Sequence, residues 1–118
     1  KMPYDRDILV RLIVKKEAAS FDYQSVRNTQ TDFPVLTCAA AKTEAGYRFA
    51  IGARPGKAVL FALSNEDMKD KNVENIAEYA AKCVKEQIVT GSNTRGSAEY
   101  RNHLAGVLVR RAVCKFGE

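Results

Sequence analysis

The hydrophobic period of this sequence changes once, near its middle, and that change restricts the fold more than any other feature. Up to residue 63 the apolar residues come in short β-rich stretches. They occupy positions 8–14, 33–41, 47–51 and 57–63, with Glu44-Ala45-Gly46 and Gly52-Ala53-Arg54-Pro55-Gly56 between the later ones. Stretches of this length with such turn residues predict strands, and turns this short join antiparallel neighbours. From residue 73 the spacing becomes helical. Val73, Ile76, Ala77, Ala80, Val84 and Ile88 fall on one side, opposite Glu74, Glu78, Lys82 and Lys85. Asn72 is placed to cap this helix, with Glu74 in its first turn, and residues 90–93 end it. Ser97 caps a second helix predicted to run to about Lys115, and residues 104–109 within it are apolar on nearly all sides. Strands followed by helices predict an α+β fold: an antiparallel sheet of three to four strands with helices packed on one face.

The 118 residues suit one domain. No apolar run approaches the ~20 residues needed to cross a bilayer, so no membrane association is expected. The N-terminus alternates charged and apolar residues from Tyr4 to Val14, unlike a signal peptide. Its start at Lys1-Met2-Pro3 fits a piece of a longer chain. The net charge of +5 is spread along the sequence without an RNA-binding signature, so a nucleic-acid partner is not expected. A small basic module for RNA or protein binding, without enzymatic role, is the alternative reading. Cys38, Cys83 and Cys114 are odd in number and far apart. They read as reduced thiols, neither disulfides nor metal ligands, and point to a cytoplasmic location.

Few segments suggest chemistry. Gly52-Ala53-Arg54-Pro55-Gly56-Lys57-Ala58 falls short of a phosphate loop by one spacer residue and by the hydroxyl that Ala58 lacks. It reads as a hairpin turn. Thr94-Arg95-Gly96-Ser97 opens a helix where an anion can bind, although an ordinary capped turn accounts for it. His103, the sole histidine, has no Ser, Cys or second His at a useful spacing. Arg27 and Asp32 flank a polar turn and are placed to pair or to cap backbone groups. Residues 15–32 read as a polar connection between strands, carrying two aromatics, Phe21 and Tyr23, which either cover a core edge or stack on a flat ligand. No self-contained catalytic or metal site emerges.

The turn Ile51-Gly52-Ala53-Arg54-Pro55 and the helix start Arg95-Gly96-Ser97-Ala98-Glu99-Tyr100-Arg101 resemble those of a known family, the C-terminal domain of the FAD-binding subunit of molybdenum hydroxylases such as carbon monoxide dehydrogenase and xanthine dehydrogenase. Ile51-Gly52-Ala53-Arg54-Pro55 with Lys57-Ala58 resembles its G-A-x-P-x-x-A turn. Arg95-Gly96-Ser97-Ala98-Glu99-Tyr100-Arg101-Asn102-His103-Leu104 resembles its R-x-S-x-x-Y-R-x-x-L helix start, and residues 107–112 its V-L-V-x-R-A continuation. Asp7-Ile8-Leu9-Val10 is similar to the strand by which the chain enters the domain. The resemblance implies that residues 1–118 are the single C-terminal domain of a longer flavoprotein subunit, whose FAD-binding domains lie outside this chain. It implies FAD in the full-length subunit, iron–sulfur clusters and a molybdenum cofactor on partner subunits, and electron delivery to NAD or another acceptor. Phe21 matches the family's aromatic, Arg27 its arginine and Asp32 its aspartate, while Tyr23 stands where Lys is usual and Asn93 where Asp is common. Phe21, Tyr23 and Arg27 are thus the expected flavin-facing residues. Asp32, Tyr100 and Arg101 are expected to be structural, with Tyr100 largely buried and its hydroxyl bonded. With its apolar residues committed to a core, a chain of this size has little left for a whole flavin cleft. The fragment alone is therefore expected to be inactive.

Overall fold

Glu44 and Ala45 form a tight turn, and the alternating stretches around it pair as expected in the computed structural model, which describes residues 7–67, 69 and 72–117. Residues 1–6, on which the reading of the chain start rested, lie outside the described residues. Strands β1 (Ser20–Arg27), β2 (Pro34–Thr43), β3 (Gly46–Gly52) and β4 (Val59–Ser64) form one antiparallel sheet in sequence order. Helices α1 (Val73–Gln87) and α2 (Ala98–Phe116) follow. This is the expected α+β arrangement, with four strands. Gly46 makes the β2–β3 hairpin possible: its φ is +136°, and a Cβ there would clash with the carbonyl oxygen of Leu63.

Register decides which residues meet the helices. Gln24, Cys38, Ile51 and Val59 form one row across the sheet, and Asp22, Ala40, Phe49 and Phe61 the next. Successive side chains point to opposite faces, so these rows share a face. It is the helix-covered face: Cys38, Ala40, Phe49, Ile51 and Phe61 are buried in one core with Ala77, Ala80, Val84, Ala105, Leu108 and Val109. Helix α2 lies over β1 and β2, α1 reaches β4, and the two helices pack on each other. The apolar stretch at 104–109 is therefore buried as expected, save the partly exposed Val107. Asn72 and Ser97 both cap, accepting from the backbone N–H of Asn75 at 2.9 Å and of Tyr100 at 3.1 Å. Among the described residues no helix is long and apolar enough to cross a membrane.

The first strand is not where the sequence predicts it. Residues 8–14 carry no regular structure, and Ile8, Leu9, Val10, Leu12, Ile13 and Val14 are 77–88% exposed. Their β-branched composition favours extended backbone, but a strand also needs a ladder partner, and no described strand pairs with them. The edge of the sheet is instead β1, inside the segment expected to be a polar connection. Its alternation is inverted. Asp22 and Gln24 face the helices while Phe21 and Tyr23 face outward, so polarity hides the strand. An inward charge is a known device for keeping an edge strand from pairing further. Asp22 is satisfied there by Lys115 of α2, whose Nζ donates at 2.8 Å, and by Gln24, also at 2.8 Å.

Candidate functional site

The uncovered face of the sheet holds two of the expected flavin-facing residues. Tyr23, Ala39, Ala50 and Leu60 form one row on it, and Phe21, Ala41, Arg48 and Ala62 the next. Solvated faces of antiparallel sheets are usually polar. Here Phe21, Tyr23 and Leu60 are 67%, 61% and 78% exposed, with alanines between them. Arg48 is paired with Glu17, so it adds no free cation to this surface. A groove of about 600 Å³ lies at the β2–β3 hairpin end, lined by Glu17, Ala18, Ala45, Arg48 and Ala62 among others.

Arg27, the third expected residue, does not join the aromatics. It sits six residues beyond Phe21 on the same strand, about 20 Å away at the usual rise, where the register shifts at the end of β1. Its Nη1 donates to the carbonyl oxygen of Asp32 at 2.5 Å. The expected Arg27–Asp32 ion pair is replaced, because the Asp32 carboxylate belongs to Arg95. Nε of Arg95 donates to both carboxylate oxygens at 3.1 and 3.2 Å, and Nη2 to one at 2.9 Å. The N–H of Phe33 donates to the same carboxylate at 2.7 Å. These donors, Arg95 foremost, hold the Asp32 pKa below the ordinary carboxylate value, and the Asp32 carboxylate in turn raises that of Arg95. The Arg95 guanidinium also lies 5.2 Å from the centre of the Phe33 ring. Arg95 is thus engaged with the β1–β2 loop, where the sequence left it open to an anion.

Arg101 is fully buried, with no carboxylate among the described residues against it. Nε donates to the carbonyl of Val35 at 2.8 Å, and Nη1 to those of Gly91 at 2.8 Å and Gly96 at 2.6 Å. Nη2 donates to Oδ1 of Asn93 at 2.6 Å. Burial, and then the charge of Arg95, pushes its pKa below the ordinary arginine value. Its neighbour Tyr100 corrects the expectation of burial: it is 45% exposed. The two differ because consecutive helical residues lie about 100° apart, and Arg101 takes the inward direction. Arg54 completes the set, donating to the carbonyls of Lys57 at 2.7 Å and Val89 at 2.6 Å. The three arginines join the loop before α2 to the start of β2 and to the β3–β4 turn. Sequence reasoning did not find this role for Arg54 or Arg95. Arg54 binds main-chain carbonyls, which every residue carries, and Arg95 takes the carboxylate that the sequence pairs with Arg27.

No group of three or more His, Cys, Asp or Glu side chains able to hold a metal occurs among the described residues. His103 is exposed on α2. Burial pushes the Cys38 thiol up to about 12, which removes it as a nucleophile at neutral pH. The arrangement offers an apolar surface for contact and a rigid frame behind it.

Residues 21–116 match the family model described as CO dehydrogenase flavoprotein C-terminal domain. Among curated proteins, none matches the chain. Two solved structures share its fold. Quinoline 2-oxidoreductase from Pseudomonas putida 86 is 21% identical with a TM-score of 0.67, over 84% of this chain and 37% of that one. Carbon monoxide dehydrogenase from Hydrogenophaga pseudoflava, in a form lacking the Mo-pyranopterin moiety of the molybdenum cofactor, is 18% identical with a TM-score of 0.60, over 82% and 36%. The chain thus spans little more than a third of either solved chain.

Proposed function

This chain belongs to the CO dehydrogenase flavoprotein C-terminal domain family, and from that premise we propose that it is the closing domain of an FAD-carrying subunit in a molybdenum-dependent dehydrogenase or hydroxylase. The observation that carries the reading is the family match over residues 21–116. The outward aromatics of β1 give it a place on the surface. The described residues fit one wall of a flavin site rather than a whole one. Phe21 and Tyr23 are exposed rings on one face, suited to lie against a flat heterocycle and exclude water from it. No loop of the phosphate-binding kind stands beside them. Arg27 lies too far along the strand to share a ring with Phe21, so its part is confined to the β1–β2 loop, or to a different portion of the cofactor.

The chemistry that FAD supplies in such a complex is electron relay, from iron–sulfur clusters and a molybdenum cofactor on partner subunits to NAD or another acceptor, as in a xanthine dehydrogenase-like enzyme. This chain's own residues contribute enclosure. Asp32, Arg95 and Arg101 hold the loops at one end of the sheet, and β1 presents its aromatics from that frame. The setting would be cytoplasmic. The alternative of a basic binding module gains nothing from Arg48, Arg54, Arg95, Arg101 and Arg110, each of which is bonded within the domain.

The test is a flavin titration. Followed by flavin fluorescence, the isolated chain should not bind FAD, whereas the product of the complete reading frame should. Saturable binding to the chain alone, tighter than about 10 μM or near −7 kcal/mol, would overturn the enclosing role. In the complete subunit, Phe21→Ala and Tyr23→Ala should shift flavin fluorescence or FAD occupancy with the fold intact.

A further inference from the structure

Resting on that reading, we infer that the uncovered face of the sheet is a docking surface for the upstream part of the same polypeptide, through Tyr23, Leu60 and the alanines between them. Three observations converge. The first is composition at outward positions. In the row Tyr23–Ala39–Ala50–Leu60 every residue is apolar or aromatic, and the two large ones at its ends are more than 60% exposed. Contiguous apolar surface of this kind marks a contact. Small residues on the two central strands with large ones on the edges leave a trough that a partner element can enter.

The second observation is the route by which the chain reaches the domain. Before β1, Ala18 lies by Thr43 and Glu44 at the end of β2, in the groove where Glu17 also lies. Glu17 then binds Arg48, an outward residue of β3, at 2.5 Å. The polypeptide therefore enters from the uncovered side, and what precedes it is tethered there. Residues 8–14, the stretch leading in, are themselves apolar and exposed. The third observation is length: the solved chains that share this fold extend well beyond the region matched here. The occupant is accordingly an apolar surface of the preceding portion of the chain, with residues 8–14 as its nearest segment.

Oxidative footprinting of the complete subunit tests this, with Tyr100 as internal reference. Tyr100 lies on the helix side and is 45% exposed, against 61% for Tyr23. With each rate normalised to the intrinsic radical reactivity of its side chain, docking predicts that Tyr23 and Leu60 lose that advantage and label more slowly than Tyr100, both with FAD and after its removal. Leu60→Glu, which disturbs no core contact of the domain itself, should restore the labelling of Tyr23. Labelling of Tyr23 and Leu60 at or above the Tyr100 rate in both forms overturns the inference. Protection of Tyr23 only while FAD is bound, with Leu60 labelled throughout, also overturns it but leaves the flavin reading standing. Protection in both forms in a subunit that never binds FAD supports the docking surface and removes the flavin reading.

Discussion

At the scale of single residues, Arg101 carries the sharpest consequences. Replacing it with Met keeps much of the apolar stem but strips donors from the buried carbonyl of Val35 and the half-buried carbonyls of Gly91 and Gly96. Leaving buried acceptors unmatched costs about 1–3 kcal/mol each, so Arg101→Met should lower stability by about 3 kcal/mol or more in chemical denaturation. Arg101→Lys should recover little of this, since one ammonium cannot reach all the acceptors arrayed around the edge of the planar guanidinium. The reverse case is Asn93, whose Oδ1 already accepts from Arg101. Asn93→Asp would set a carboxylate against a buried cation that has none among the described residues, turning a bond with one charged partner into an ion pair. A gain of about 1 kcal/mol, read as a higher Tm, is expected. Tyr100→Ala, at an exposed position, should melt far closer to the parent than Arg101→Met. The sequence singled out the helix start that holds Tyr100 and Arg101, yet could not say which of the two turns inward. Direction depends on where the sheet lies, and the acceptors at Val35, Gly91 and Gly96 leave no side-chain trace.

Among the elements, helices and hairpins were legible and the edge strand was not. Caps at Asn72 and Ser97 and helical spacing are local signals, satisfied by each segment alone. Strand assignment for β1 depended on a neighbour, and its inward Asp22 and Gln24 gave it the polarity of a loop. That inversion has a pH signature. The Asp22 pKa is lowered by the hydrogen bond from Lys115, against a smaller opposing effect of burial. A depressed carboxylate stabilises the fold fully above its unfolded pKa of about 3.9, and the contribution disappears as pH falls through the lower folded value. Asp22→Asn should therefore melt below the parent at pH 7, and the gap should close as melting curves are taken below pH 4. Asp32, depressed chiefly by Arg95, adds to acid sensitivity in the same direction. The β2–β3 hairpin gives a test of backbone geometry. Gly46→Ala combines positive φ with a clash against the Leu63 carbonyl, and should cost more than the roughly 1 kcal/mol typical of strained glycine replacement.

For the whole molecule, one layer of helices covers one face of the sheet and leaves two apolar regions outside. The radius of gyration, 15.6 Å, exceeds the about 13 Å usual for a chain near this length. Period and turn chemistry located the core because a core is written in apolar spacing. The surface where Phe21 and Tyr23 sit was half legible: the aromatics stood out, but their common face, and the distance of Arg27 from them, follow only from register. The buried arginine has one more consequence at this scale. Three of its four bonds end on main-chain oxygens, which any amino acid supplies. The side chains at those three positions are therefore not what Arg101 reads and can drift over generations while the joint keeps its shape, whereas Asn93 and Arg95 hold the loop through their own side chains. Relatives of this domain should differ most in the residues Arg101 grips and least in Arg101 itself, so that a single codon preserves a joint that the surrounding sequence does not record.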